Sequence, residues 1–137
     1  MNLQNQIKKG MISMYERHET GRIGEDISVK YLEQIGYTII ERNFECKQGE
    51  IDIIAKDKNE YVFIEVKTRS SVSYGKPKEA VDTTKKKHIY RSAEYYVYLK
   101  HLENEPVRID VIEVYKKQGK FTVHHIKQAI TERPYNN

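Results

Sequence analysis

Two extended segments set only a short turn apart constrain this chain most. Residues 49–57 (GEIDIIAKD) and 60–70 (EYVFIEVKTRS) are rich in β-branched and aromatic side chains, and the turn-forming run Asp57-Lys58-Asn59 joins them. They read as paired strands. In a strand alternate residues share a face, so Glu50, Asp52 and Ile54 are expected on one side and Ile51 and Ile53 on the other. In the second segment Val62, Ile64 and Val66 share one face, whereas Phe63, Glu65, Lys67 and Arg69 share the opposite one. Pairing through the turn brings Asp52 and Glu65 onto a common surface beside Lys67.

Two close carboxylates repel each other and resist burial, so their place among apolar strand residues calls for a divalent cation or for Lys67. Mg²⁺ (or Mn²⁺) suits this set. It takes hard oxygen ligands, retains several waters, and is commonly held by one or two carboxylates while a phosphate supplies another oxygen. The Val66 carbonyl is a candidate third ligand beside Asp52 and Glu65. Lys67 is then placed to orient or deprotonate an attacking water, or to stabilise charge growing on a phosphate. The competing reading is an ordinary Glu–Lys alternation on a solvated strand face.

The rest of the chain reads as one domain over residues 20–126, preceded by a polar extension (1–19) and followed by a polar tail (127–137). Thr20 caps a helix expected over 20–35, with Glu25 and Asp26 in its first turn and Gly36 as its stop. On a helical wheel Glu25 falls with Ser28, Val29, Leu32 and Ile35 on the stripe that should face the sheet. It either completes the metal site, directly or through water, or serves as a favourable charge at the helix start. Residues 37–44 form a first strand. A loop over 70–78 containing Gly75 and Pro77 leads into a second helix expected over 79–101, and strands follow at 107–115 and 120–126. The order is αβββαββ.

Composition excludes more than it selects. No apolar run approaches the ~20 residues of a membrane span, and the first residues lack the apolar core of an export signal, so a cytoplasmic protein without membrane contact is expected. Cys46 is the single cysteine, and no histidine pair stands at zinc-site spacing. His124 and His125, adjacent on a strand, point to opposite faces and receive no role. A net charge of +4 favours polyanions modestly. Arg69, Lys76, Lys78 and Lys86 surround the 70–78 loop as a phosphate-binding rim, with Tyr74 available for base stacking. Lys85 lies on the helical stripe of Val81 and Ile89 and is either directed toward a substrate phosphate or solvated.

At these residues the sequence resembles the PD-(D/E)XK nuclease superfamily, and more closely the YraN-like family of small bacterial endonuclease-like proteins. Gly21-Arg22-Ile23-Gly24-Glu25, Asn43, the run Gly49 to Ala55, Phe63 to Arg69, Gly75-Lys76-Pro77 and Arg108-Ile109-Asp110 all fall in the family's order, over about residues 20–126. The amino-terminal extension departs from that pattern. So does Phe44-Glu45-Cys46-Lys47, where relatives often carry a more basic stretch. The resemblance implies an α/β fold: a restriction-endonuclease-like αβββαβ core with a mixed central sheet flanked by helices. It implies Asp52, Glu65 and Lys67 as the catalytic motif, Glu25 as the helix carboxylate of resolvase-like relatives, a secondary metal role for Glu50, and a homodimer. The expected activity is metal-dependent hydrolysis of DNA phosphodiesters by an endonuclease, structure-selective in repair or recombination. The alternatives are a noncatalytic nucleic-acid-binding module and a protein-interaction domain of the same fold.

Overall fold

A computed structural model describes residues 21–70 and 83–130. Helix α1 covers residues 21–34, with Ser28 and Leu32 fully buried against the sheet. Its end follows from Gly36, whose φ of 99° suits a residue without a Cβ; Tyr37 N–H donates to the Leu32 carbonyl at 2.9 Å and Gly36 N–H to that of Glu33 at 3.1 Å. Ile35, expected on the buried stripe, is 45% exposed because the helix has already ended and the chain is turning.

Strands β1 (Thr38–Cys46), β2 (Gly49–Asp57) and β3 (Glu60–Ser70) then form an antiparallel meander. Helix α2 (Thr83–Leu99) carries the chain over one face to β4 (Val107–Lys117), which lies parallel to β3. Strand β5 (Lys120–Ile130) returns antiparallel to β4. The sheet order is β1-β2-β3-β4-β5, so the architecture is α/β with a mixed sheet covered by a helix on each face, as expected. Each face has its own core. Leu32, Ile53, Val62, Ile64 and Ile112 pack on the α1 side, while Ile51, Ile54, Phe63, Ile89 and Tyr96 pack on the α2 side.

Several features differ from the sequence reading. α2 ends at Leu99, two residues early, because His101 adopts φ 58° and Leu102 N–H closes the turn on the Val97 carbonyl at 2.9 Å. β5 continues to Ile130, beyond the domain edge expected at 126. There Gln128 adopts φ 51° where the β4–β5 register shifts, a bulge that hides the strand's continuation from a period-two reading. The third difference is functional. Ile51 and Ile53, expected on one face, pack on opposite faces of the sheet, so alternation breaks at the intervening Asp52.

Candidate functional site

The break at Asp52 is shared by two strands. Arg42 pairs with Ile53 and Phe44 with Ile51, which leaves Asn43 opposite Asp52 in the same register. Arg42 bonds to α1 whereas Phe44 packs with the α2-side core, so both strands change face at this pair. Asn43 adopts φ 54°, a left-handed conformation that asparagine tolerates better than most side chains.

On its other side β2 parts from β3. Their ladder runs from Asp57–Glu60 to Ile53–Ile64, and one further step places Asp52 opposite Glu65. A continued ladder would next join Ile51 to Val66. Instead the Val66 N–H donates to Asp52 Oδ2 at 2.8 Å. Because a strand N–H lies in the sheet plane, this bond places the Asp52 carboxylate within the fork between β2 and β3. A strand residue offers its N–H and C=O to the same neighbour, so the Val66 carbonyl faces that fork too.

The fork is acidic. Burial, followed by the charges of Glu65, Glu25 and Glu50, pushes the Asp52 carboxyl up to about 7, against the lowering effect of the Val66 N–H bond. Glu65 Oε2 is buried. Glu50 is exposed at the start of β2, and its carboxyl is raised by partial burial and by Glu45 and Glu25. Glu25 is 14% exposed at its side chain and reaches the fork from α1, where its Oε1 accepts from Asn43 Nδ2 at 3.0 Å and Arg42 Nε at 3.2 Å. Arg42 also donates to Asp26 at 2.6 Å. Gly24 fixes how closely α1 approaches: a Cβ there would stand 3.3 Å from the Cβ of Thr68 on β3, so the helix start lies against the strand that carries the motif.

Glu65, Lys67 and Arg69 alternate along the α2-side face of β3, as the sequence predicts. Arg69 Nε donates to Glu113 Oε2 at 2.8 Å. Lys85 is exposed near the start of α2, and Lys86 is half-buried. Tyr74, Lys76 and Lys78 lie outside the described residues.

The donor set at the fork consists of hard oxygens, and a half-buried Asp52 carboxyl raised to about 7, first by desolvation and then by the charges of Glu65, Glu25 and Glu50, is chemically suited to Mg²⁺ or Mn²⁺. Among the described residues no three Asp, Glu, His or Cys side chains gather closely enough to hold one ion. The arrangement therefore fits an ion held by one or two carboxylates, a main-chain carbonyl and water. Glu25, bonded to Arg42 and Asn43, and the exposed Glu50 both bring negative charge to Asp52.

Sequence reasoning passed over a second polar cluster on the α1 face. Asp110 is fully buried and accepts from Arg108 Nε at 3.0 Å, from the Gln128 N–H at 3.0 Å and from His125 Nε2 at 2.7 Å. A carboxylate can only accept, so His125 Nε2 carries a proton, and Nδ1 is hydrogen-bonded to the Tyr31 hydroxyl at 2.9 Å. Arg108 also bridges Asp57 and Glu60, at 3.1 and 2.7 Å, and donates to the Tyr37 hydroxyl. The signal was the Arg-x-Asp spacing on an apolar strand, which puts both charges on one buried face. Asn43 had no comparable signal, because its role depends on register.

The fold and the fork define an α/β protein with a five-stranded mixed sheet, compatible with a restriction-endonuclease-like core. The chain belongs to the family described as Uncharacterised protein family UPF0102, which matches residues 24–114 and is the YraN-like, nuclease-like group. It is 50% identical over 115 residues to a UPF0102 protein of Caldicellulosiruptor saccharolyticus, a match spanning 82% of this chain and 98% of that protein. A UPF0102 protein of Clostridium botulinum strain Hall is 49% identical over 118 residues, 84% of this chain and 96% of its own. One from Caldanaerobacter subterraneus is 47% identical over 112 residues, 80% and 92% of the two chains. Among the described residues no helix is long and apolar enough to cross a membrane.

Proposed function

We propose that this protein is a divalent-metal-dependent DNA endonuclease of the cytoplasm, hydrolysing phosphodiester bonds at the β2–β3 fork. The observation that carries the reading is the half-buried Asp52 carboxylate, in the sheet plane against the Val66 N–H and opposite Glu65 in register. Asp52 and Glu65, with the Val66 carbonyl, are the residues that would hold Mg²⁺ or Mn²⁺, which when bound supplies positive charge to the phosphoryl oxygens.

The chain's own groups do the remaining work. Lys67, two residues beyond Glu65 on the same face, orients the attacking water or donates to the phosphoryl oxygen as charge grows there. The Val66 N–H fixes Asp52, so that one carboxylate oxygen is committed to the backbone. Glu25 keeps the fork negative from α1 while Arg42 and Asn43 hold it in place. Arg69 on β3 and Lys85 and Lys86 on α2 extend the surface along the nucleic-acid backbone, and Tyr74, Lys76 and Lys78 are proposed as further nucleic-acid contacts. Contacts of that kind read shape and charge, which suits branched or damaged DNA met in repair or recombination. A homodimer, as the resemblance implies, would present two such forks to one junction.

The lack of a three-carboxylate cluster among the described residues favours a second reading, a noncatalytic nucleic-acid-binding module. Purified full-length protein incubated with labelled single-stranded, duplex, flapped and four-way DNAs plus Mg²⁺ or Mn²⁺ separates the two. The nuclease reading expects metal-dependent cleavage that Asp52→Ala, Glu65→Ala and Lys67→Ala each abolish in folded protein. Binding without cleavage across the panel selects the module.

A further inference from the structure

We propose that Arg69, held by Glu113, grips the substrate phosphate next to the one at the fork, so that one nucleic-acid strand runs along β3; this rests on the nuclease reading above. Glu65, Lys67 and Arg69 occupy alternate positions on one face, and alternate strand residues stand ~6.6 Å apart. That step is of the order of the spacing between successive phosphates. A strand whose scissile phosphate meets Lys67 therefore presents its neighbour to Arg69.

The surroundings of Arg69 distinguish it from a flexible surface arginine. Glu113 is almost fully enclosed, at 4% side-chain exposure, while Arg69 retains 24%. Arg69 Nε donates to Glu113 Oε2 at 2.8 Å, and the Tyr115 hydroxyl donates to the same oxygen at 3.3 Å. The parallel β3–β4 register sets Glu113 beside Lys67 and Tyr115 beside Arg69, so β4 supports this arrangement from behind. His124 Nδ1 lies 3.5 Å from the other carboxylate oxygen of Glu113. With Nε committed inward, the Nη edge of the guanidinium is the part left to meet a phosphate, and its planar fork matches two phosphate oxygens. Fixing the rotamer beforehand lowers the ordering cost of that contact. Glu113 and Tyr115 are positioning residues, acting through Arg69.

The test uses full-length protein, Ca²⁺ to permit binding, and DNA carrying one uncharged methylphosphonate linkage moved stepwise along the strand. With the parent protein, neutralising the phosphate that meets Arg69 should weaken binding about tenfold at low salt. Arg69→Ala should weaken binding to unmodified DNA by a similar factor, lower the salt slope by about one contact, and be indifferent to the methylphosphonate at that position alone. Glu113→Gln should preserve the salt slope, raise KM in the Mg²⁺ reaction several-fold and leave kcat within twofold. Penalties of Arg69→Ala and methylphosphonate that multiply at every position overturn the Arg69 contact. A fall in kcat at unchanged KM for folded Glu113→Gln overturns the positioning role. DNA binding by the parent without cleavage of any substrate overturns the nuclease reading and leaves the phosphate contact to be judged by the binding scan.

Discussion

Asp52 caps the backbone of Val66 at the point where β2 and β3 separate, with Oδ2 2.8 Å from the Val66 nitrogen. A side chain has replaced a ladder carbonyl, and the replacement puts a carboxylate in the sheet plane, where it is partly withdrawn from solvent and near three other acids. The same bond that makes the strand break tolerable creates the candidate site.

Asp52→Asn should stabilise the protein in a chelator at pH 8. The folded state raises the carboxyl from 3.8 to about 7, so it holds the proton more tightly than the unfolded chain does. Stability of the parent therefore falls as pH rises from about 4 to about 7 and is level above, and an amide escapes that loss. At 1.36 kcal/mol per unit the gain has a ceiling of about 4 kcal/mol, and about 2 is the expected size once relaxation is allowed for. Urea unfolding of parent and variant at pH 5 and pH 8 measures it. A variant less stable than the parent at pH 8 contradicts the account of the fork.

Asp110→Asn should act in the opposite direction. Burial pushes Asp110 up, but bonds from His125, Arg108 and the Gln128 N–H outweigh it and hold the carboxyl below its ordinary value. A depressed pKa contributes stability above the unfolded value and loses it as pH falls through the folded one. At pH 7 the substitution should remove about 3 kcal/mol, because Arg108, 8% exposed, keeps its charge while losing its buried partner. The deficit should narrow only below about pH 4, near the ordinary aspartate value. An unchanged denaturation midpoint at pH 7 would show that the cluster does not stabilise the fold.

Gly24→Ala tests the seating of α1. A Cβ at residue 24 meets the side chain of Thr68, so either that side chain turns away or α1 with Glu25 lifts from β3. Helix propensity alone would make alanine stabilising by about 1 kcal/mol, so a net loss of 1–3 kcal/mol identifies overpacking. Thr68→Ala in the same chain should recover part of that loss. Additive effects of the two substitutions would place the helix further from the strand than described.

The strands, the two helices and the face shared by Glu65, Lys67 and Arg69 were legible because periods of two and 3.6 residues survive in the sequence there. Asp52 was legible as a misplaced charge, while its geometry was not: alternation predicted Ile51 and Ile53 on one face, and the coordinated break with Asn43 exists only once β1 and β2 are paired. Glu25 was recognised as core-facing, but its ties to Arg42 and Asn43 depend on how α1 crosses β1. His125, set aside because its neighbour points the other way, proved to be the residue that links Asp110 to Tyr31. Contacts between residues distant in the chain carried each of these, and no local pattern encodes them.

The central claim is that Asp52 and Glu65 form a phosphate-facing metal site, and the coupling between metal and DNA tests it most directly. Titrating labelled DNA into parent, Asp52→Asn and Glu65→Gln proteins, first in EDTA and then in Ca²⁺, gives that coupling for each. Without metal a phosphate meets two carboxylates in a poorly screened site, so both variants should bind more tightly than the parent, by about fivefold or more. With Ca²⁺ the parent should regain affinity while the variants respond little, so the order narrows or reverses. Variants that match the parent under both conditions would contradict the account, since separated surface charges are screened and show no special coupling to a divalent ion.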